Sequence, residues 1–437
     1  MRRMHASRRS GGSGGSEKTT EGSASSPLAE SQHRQISTFR ALQHRNFRLI
    51  WTGFAVSSAG TWMQIVAQSL LVLDLTHGSA VALGTLSLVQ ALTFLLLAPI
   101  GGSSADRFDK RRLLRTTQSV MMTLAALLAL LSATGLIRFW VILLAACVNS
   151  ATLSFDQPAR NALIAASVPK EHLMNAVSLQ SAVFNGASII GPALAGLTLS
   201  KAGYSGNFLL NALSYSAMLV ALSLIDPSKI RSTPAPGGKL LDSVREGLQY
   251  IRRDAVLPSV LTAYGALLFF GPSSTLVLPL FVKQILHRGS AELGLLFSAV
   301  GGGTVVSALA LASLGDFRHK GKLVFGSILI WAVALAVFGW SATLAFSTAV
   351  LVVLGAAQTA AGATSVTLLQ TRVPPEMRGR AMSLNTLLIM CVRPLGDFPA
   401  GALIEWLGLR VAVLLGAAVV GTIVLTLFAI RPAVRTI

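Results

Sequence analysis

Long apolar stretches separated by short polar loops make up most of the chain. Twelve of them are each close to the length of about 20 residues that a helix needs to cross a bilayer. Gly, Ser and Ala are frequent within them, as is typical of closely packed transmembrane helices. The pattern predicts an all-α integral membrane protein with twelve transmembrane helices, at 47–73, 80–104, 113–134, 139–164, 172–198, 205–225, 257–283, 291–314, 322–341, 344–370, 378–405 and 409–430.

A polar segment at 226–256 interrupts this pattern after the sixth helix. Its first part is rich in Pro and Gly, and apolar residues then recur at helical spacing from Leu241 to Ile251, which predicts a short amphipathic helix. The first residues of the chain are rich in Ser, Gly and Arg and too polar to form a core. The predicted organisation is a disordered basic cytoplasmic tail (1–40), a six-helix half (41–225), a cytoplasmic linker (226–256) and a second six-helix half (257–437).

An internal repeat relates the two halves. The segment VPKEHLMNAVSLQ at 168–180 matches VPPEMRGRAMSLN at 373–385, an offset of 205 residues. The same offset pairs three glycines of each half, and the loop at 105–112 resembles 315–322 more weakly. Two homologous bundles in the same orientation are parallel repeats. The paired glycines are Gly191 with Gly396, Gly196 with Gly401, and Gly203 with Gly408.

Composition supports the membrane prediction. Only 12% of the residues are charged, 52% are hydrophobic and the mean hydropathy is +0.64, whereas soluble domains carry about 25% charged residues. The two cysteines, Cys147 and Cys391, lie inside apolar runs and indicate neither a disulfide framework nor a metal site.

The basic residues behind the net charge of +19 are distributed as membrane orientation requires. With the N-terminus inside, loops and helix ends on the cytoplasmic side hold 21 Lys and Arg residues, against 5 on the other side. Positive loops stay in the cytoplasm, so both termini are predicted to be cytoplasmic in a multi-pass protein of the inner (plasma) membrane. No basic–aromatic patch indicates nucleic acid.

The loop GGSSADRFDKRR, residues 101–112, and four other phrases resemble the major facilitator superfamily, in the branch of the enterobactin exporter and related efflux proteins. The resemblance covers about residues 40–430 and implies the twelve-helix transporter fold. The phrases are ALQHRNFRLIW at 41–51, FDQPARNALI at 155–164, VPKEHLMNAVSL at 168–179 and IIGPALAGL at 189–197.

The resemblance implies a cytoplasmic gate of ion pairs between the halves. Asp156 would pair with Arg107 or Arg111, and Asp106 with the start of the eleventh helix near Arg378, when the cavity faces outward. A basic loop that only sets topology, and a local pair between residues four apart, are the simpler alternatives. The candidate gate residues are Gly102, Asp106, Arg107, Arg111, Asp156 and Arg160.

The fifth predicted helix carries Gly186, Gly191, Pro192 and Gly196. This pattern resembles the Gly/Pro motif of proton-driven antiporters, which implies export. Close packing of small residues is the alternative. One departure concerns the fourth helix, where 139–154 lacks the Arg that many drug–proton antiporters carry.

Arg393 and Asp397 lie deep within the eleventh predicted helix. Ionisable residues at such depth are costly and usually line a cavity or pair with each other. They predict a substrate anion site or a protonation switch at Asp397, with a mutually neutralising structural pair as the alternative. Asp74, at the outer end of the first helix, is a weaker candidate for proton coupling.

Neutral polar residues in helices 1, 4, 7 and 10 are candidates for the cavity lining, because these helices line the cavity in the resembling superfamily. An interhelical hydrogen bond is the alternative for each. The candidates are Gln64, Gln68, Asn149, Tyr264 and Gln358.

These observations predict a secondary transporter that exports a small organic molecule, such as a drug or siderophore, against proton entry. Uptake or flipping of a lipid-like substrate, and a non-transporting receptor or assembly protein, are the alternatives. A membrane enzyme is disfavoured, since we find no nucleotide-binding loop, metal cluster or catalytic constellation. No cofactor or metal is expected, the proton gradient is the expected energy source, and the expected partners are the substrate and the bilayer around a monomer.

Overall fold

The computed structural model describes residues 37–229, 240–315 and 319–435, so most of the predicted tail lies outside the described residues. The described chain is helical and contains no strand. Eleven of its helices are long and apolar enough to cross a membrane, and one of these is divided by a kink. The predicted all-α fold with twelve spans is therefore confirmed.

The first half begins with four helices whose bounds lie within a few residues of the predicted spans. The inner face of the protein is the side with the loop at 108–109 and the linker, and it is the predicted cytoplasmic side. The outer face is the opposite side. The four helices are α1 (Arg45–Leu75), α2 (Ala80–Arg107), α3 (Lys110–Ala133) and α4 (Phe139–Ser167).

The segment Leu173–Leu224 contains two spans. Its 52 residues would extend about 78 Å as one straight helix, much more than a bilayer. Gly203 interrupts it with φ 64° and ψ −165°, a conformation that glycine adopts without steric cost. We call residues 173–202 α5 and residues 204–224 α6.

The second half contains two spans with broken helices. The seventh span is divided at Gly271–Ser273, and the eleventh contains a π-helical turn, Leu388–Val392, between two α-helices. The helices are α8 (Leu257–Phe270), α9 (Ser274–Gln284), α10 (Ser290–Leu314), α11 (Lys320–Trp340), α12 (Leu344–Arg372), α13 (Pro375–Leu387), α14 (Arg393–Leu407) and α15 (Leu409–Ile430).

The linker helix α7 (Leu240–Arg253) packs against α13. Glu246 forms an ion pair with Arg380, and a Cβ at Gly247 would lie 3.1 Å from the Arg380 carbonyl oxygen. The Tyr250 hydroxyl donates to the Arg372 carbonyl at 3.3 Å. These contacts attach α7 to the second half.

Asp254 fixes the start of α8. Its carboxylate accepts from the backbone N–H groups of Val256 and Leu257 at 2.8 and 2.9 Å, and it lies 3.2 Å from Arg372 Nε. Burial alone would raise the pKa of Asp254, but these backbone hydrogen bonds and the Arg372 charge outweigh it and hold the pKa below its ordinary value. The carboxylate therefore stays charged at neutral pH.

The repeated glycines have equivalent positions in the two halves. Gly191 of α5 lies against α1, where a Cβ would be 2.7 Å from the Ala59 carbonyl oxygen, and Gly396 of α14 lies against α8 in the same way, 2.1 Å from that of Phe269. Gly203 and Gly408 both have positive φ. The repeat thus corresponds to two bundles with the same internal packing.

The two halves meet along two equivalent helix crossings, α5 with α10 and α2 with α14. A Cβ at Gly294 would lie 2.4 Å from the Pro192 carbonyl oxygen, and one at Gly84 would lie 2.8 Å from that of Asp397. Gly196 and Gly401 make similar contacts with Ser290 and Ala80. Because small residues let backbones approach this closely, each crossing depends on its glycines.

The loop predicted at 101–112 is shorter than expected. Helix α2 continues to Arg107, and only two residues separate it from α3. The Asp109 carboxylate caps α3 by accepting from the Arg112 backbone N–H at 2.7 Å. Helix capping therefore confines the turn to Phe108 and Asp109.

Candidate functional site

A cavity of about 680 Å³ lies between the two halves. Helices α1 and α5 line it from the first half, and α8, α9, α10, α12, the π-helical segment and the start of α14 line it from the second. Its volume lies within the range of about 300–1,000 Å³ that is typical of small-molecule sites. Its polar lining includes Asn185, Thr304, Gln358, Tyr264 and Arg393.

Two of the five predicted lining residues, Tyr264 and Gln358, lie at this cavity. The other three do not. Gln64 and Gln68 are buried within the first half, where the Asn211 side-chain amide donates to Gln64 at 2.6 Å. Asn149 is half-buried, and α4 contributes no side chain to the lining. Gln64 thus forms an interhelical hydrogen bond, which was the simpler alternative to a place in the cavity lining.

Asp397 lies at the break of the seventh span. Its carboxylate accepts from the Ser273 backbone N–H at 2.9 Å and from the Ser273 hydroxyl at 2.7 Å, and it also accepts from Ser87 of α2. Ser273 is the N-cap of α9, where the helix dipole favours an anion. Only 2% of Asp397 is exposed, so one buried carboxylate joins α14, α9 and α2.

Arg393 follows directly after the π-helical turn and lines the cavity. Although Asp397 is one helical turn away, the described residues show no Arg393–Asp397 ion pair within 4 Å, because the carboxylate is turned toward Ser273 and Ser87. The two charges still interact at longer range, so a mutually neutralising structural pair stays the alternative to a functional role.

Charged and polar contacts join the halves at the outer face. Asp74 of α1 forms an ion pair with Lys283 of α9 and accepts from the Tyr204 hydroxyl. The Ser79 hydroxyl donates to Glu405 of α14. We call these pairs, together with the two glycine crossings, the outer closure. Asp74 therefore lies in a contact between the halves and not at the cavity.

Sequence reasoning singled out Asp74 but missed its partner Lys283 and the separate Ser79–Glu405 contact. Lys283 and Glu405 stand at the outer ends of their spans, where few charges occur. The opposite charges of Asp74 and Lys283 were the available signal, but their pairing depends on how the two halves meet.

Exchanging the charges of Asp74 and Lys283 tests the ion pair. The single variants Asp74→Asn and Lys283→Gln are expected to shift the protein toward an open outer face by a few-fold at most, because exposed pairs contribute about 0–1 kcal/mol. The double variant Asp74→Lys/Lys283→Asp is expected to restore closure. Spin-label distances between the outer loops measure both. A double variant more open than either single variant would contradict the assignment.

At the inner end of α4, Asp156 is almost completely buried. It lies 2.9 Å from Arg160 Nη1 and accepts from the Thr117 hydroxyl and the Gln118 side-chain amide, each at 2.8 Å. Arg160 also stacks on the Phe54 ring at 4.3 Å. In this conformation Asp156 thus forms the local pair, and its contacts with the basic loop stay a prediction for the other conformation.

The predicted gate arginines make different contacts here. Arg111 donates to the backbone carbonyls of Leu222 and Ser223 at 2.6 and 2.7 Å, at the C-terminus of α6. Arg107 is exposed, and a Cβ at Gly102 would meet no atom within 4 Å. The Asp106 side chain lies outside the described residues. Cations at a helix C-terminus are stabilising, so Arg111 holds α6 against α3.

In the Gly/Pro motif of α5, the glycines differ in their surroundings. Gly191 and Gly196 lie in close helix contacts, whereas a Cβ at Gly186 would meet no atom within 4 Å. Pro192 is buried inside the helix, and its carbonyl oxygen faces Gly294. Helix packing therefore accounts for two of the glycines and leaves Gly186 without a structural explanation.

Two phrases that carried the family resemblance pack on each other at the inner face. The Trp51 indole donates to the Leu179 carbonyl at 3.1 Å, and His44 Nε2 lies 2.8 Å from His172 Nδ1. Asn46 hydrogen-bonds the Asp226 backbone at the end of α6. Among the described residues, no group of three His, Cys, Asp or Glu could hold a metal ion.

The chain is similar to several transporters along most of its length. It is 26% identical to an uncharacterised major facilitator-type transporter, YfiS, of Bacillus subtilis, over 82% of this chain and 87% of that protein. It is 20% identical to macrolide efflux protein A of Streptococcus pyogenes (90% and 96% covered) and 24% identical to the enterobactin exporter EntS of Shigella flexneri (84% and 85%).

Solved structures show the same fold at low sequence identity. A POT family transporter in complex with 5-aminolevulinic acid superposes with a TM-score of 0.72 at 13% identity, covering 89% of this chain and 96% of that one. A D-xylose–proton symporter superposes with a TM-score of 0.71 at 12% identity, covering 90% and 99%. These superpositions show the fold of this chain.

A family model described as transmembrane secretion effector matches residues 36–436, a range that includes all of the described residues. The match agrees with the predicted resemblance and with the twelve-span architecture. The chain therefore belongs to the transmembrane secretion effector family of the major facilitator superfamily.

Proposed function

We propose that this transporter exports a small organic molecule across the inner (plasma) membrane in exchange for protons, with both termini in the cytoplasm. One observation carries the proposal: the cavity lies on the inner side of the outer closure, between two halves of equivalent packing. A cargo can therefore enter from the inner face and leave when the closure moves. The names of two relatives, a macrolide efflux protein and an enterobactin exporter, support the direction.

The inner gate of the proposed cycle forms when the outer closure opens. Arg107 or Arg111 then pairs with Asp156, and Asp106 meets the start of α13 near Arg378. Arg111 leaves the α6 carbonyls to do so, and the exchange of one set of acceptors for another keeps the free-energy difference between the conformations small.

Asp397 is the proposed proton site. The outer closure buries it between α14, α9 and α2, whereas separation of α2 from α14 exposes it to water outside. A neutral acid loses less hydration on burial than a carboxylate does. Protonation from outside therefore favours closure and the return of the cavity to the inner face.

Export is tested in bacteria that lack their major efflux pumps and express this chain. Retention of a panel of drugs and siderophores is measured with and without a protonophore, beside an inserted but immobile variant, Gly294→Val. Lower retention of a compound, reversed by the protonophore, is the expected result. Increased accumulation would favour uptake instead, and no change for any compound with correctly inserted protein would contradict export.

A further inference from the structure

Arg393 places an unpaired cationic group at the cavity. Its side chain lines the cavity, and its Nε atom is buried without a hydrogen-bond partner. Neither oxygen of the neighbouring Asp397 forms a described contact with it, because they accept from Ser273 and Ser87. No described hydrogen bond or ion pair involves the Nη groups, so these groups, unlike the buried Nε, keep donors available on the cavity side.

Such an arrangement is costly unless a ligand completes it. A donor withdrawn from water without a partner destabilises the protein, and more so when it is charged. Asp397 offsets part of the charge at longer range but leaves the N–H groups unbonded. A guanidinium presents its donors in a planar fork that matches the two oxygens of a carboxylate.

The rest of the lining has no competing anion. The described residues that line the cavity include no Asp or Glu, and Arg393 is their only charged side chain. Aromatic rings come from both halves, Trp62 and Phe184 from the first and Tyr264 and Phe297 from the second. The Tyr264 hydroxyl lies over Gly362, where a Cβ would be 2.8 Å away. The cavity thus offers a cationic group to an anionic part of a ligand and aromatic rings to its apolar or aromatic body.

The basic residues of the inner loops are not evidence for an anionic cargo, because membrane orientation accounts for them in any transporter. The membrane potential favours export of such a cargo, because an anion gains free energy when it leaves a cell whose interior is negative.

We propose that the cavity binds organic anions, with a carboxylate or similar oxyanion on Arg393 and the apolar body between the aromatic rings of the two halves. This inference rests on the proposed function, since it names the cargo class of the same cavity.

The test uses two dyes with the same xanthene ring system and opposite charge, fluorescein (anionic) and rhodamine 123 (cationic). Their binding to the purified full chain in zwitterionic nanodiscs is measured by fluorescence anisotropy, with empty nanodiscs as the baseline. Fluorescein is expected to bind the wild type, and about tenfold to hundredfold more weakly to Arg393→Gln, as for loss of a charged hydrogen bond. Rhodamine 123 is expected to bind Arg393→Gln at least as well as the wild type.

Arg393→Lys, which keeps the charge but not the planar fork, is expected to have intermediate affinity. Arg410→Gln, the same substitution at an exposed arginine that does not line the cavity, is the matched control and is expected to bind fluorescein as the wild type does. If Arg393→Gln does not fold, weaker fluorescein binding to the wild type at high salt supplies the same test. Equal affinity of fluorescein for the wild type and Arg393→Gln, absence of fluorescein binding, or a wild-type preference for rhodamine 123 would overturn the proposal. Fluorescein that binds through Arg393 but is not moved in proteoliposomes would refute export and leave the anion site standing.

Discussion

Gly294→Val is expected to abolish transport while the protein still inserts and folds. A Cβ at this position would lie 2.4 Å from the Pro192 carbonyl oxygen and 3.3 Å from the Gly196 backbone. Overpacking costs about 1–3 kcal/mol, which corresponds to a shift of about 5- to 150-fold between two conformations. The clash lies between the halves and not within one, so each half should keep its own packing. The outer face is expected to stay open.

Spin labels at residues 77 and 288, on the outer loops of the two halves, measure this change in a cysteine-free background. The label-to-label distance is expected to be longer in Gly294→Val than in the wild type. Gly302→Val is the matched control on the same helix, because a Cβ at Gly302 would meet no atom within 4 Å. A Gly294→Val protein with the wild-type distance and normal transport would show that the α5–α10 crossing does not control closure.

Asp397→Asn is expected to remove the pH dependence of the conformational change and to uncouple transport from the proton gradient. In the wild type, acidification outside is expected to shift the outer face toward closure, because a protonated Asp397 is buried more easily than a carboxylate. Asparagine has a similar shape and no charge to lose, so its outer face should be closed at every pH. The same pair of spin labels, followed across a pH range, measures the effect.

Two companion variants separate this role from a structural one. Asp397→Ala leaves the Ser273 N–H without its acceptor, at a cost of about 1–3 kcal/mol, and should lower thermal stability. Asp397→Asn keeps an acceptor oxygen and should be more stable than Asp397→Ala. Ser87→Ala removes only the contact with α2. An Asp397→Asn protein that responds to pH as the wild type does would show that the proton binds elsewhere.

Most of the membrane architecture could be predicted from the sequence, since it depends on local composition. The lengths of the apolar stretches determined the spans, because a bilayer fixes the length of a helix that crosses it. The offset between repeated segments predicted equivalent halves, and Gly191 and Gly396 do lie against equivalent helices. The sequence also singled out Arg393 and Asp397, since charges are rare and costly within a span.

The apolar length of a span did not reveal the breaks within it. The interruption at Gly271–Ser273 lies at a Gly-Pro pair, which favours a turn but is short enough to be missed within an apolar span. The π-helical turn before Arg393 lies in the apolar run LIMCV, which carries no such signal. The sequence also did not show which polar residues face the cavity. Gln64 and Gln358 both lie within apolar spans, but only Gln358 lines the cavity. The direction of a side chain within a bundle depends on which helices surround it.

The class of protein, the number of spans, the repeat and the few charges within the membrane follow from the amino-acid sequence. The fold was needed to show that Asp397 binds Ser273 instead of Arg393, that Asp74 meets Lys283, and that Arg393 faces a cavity whose described lining has no acidic residue. Hydrophobicity and periodicity are properties of neighbouring residues along the chain. Pairing between helices far apart in sequence is set by how the two halves approach each other.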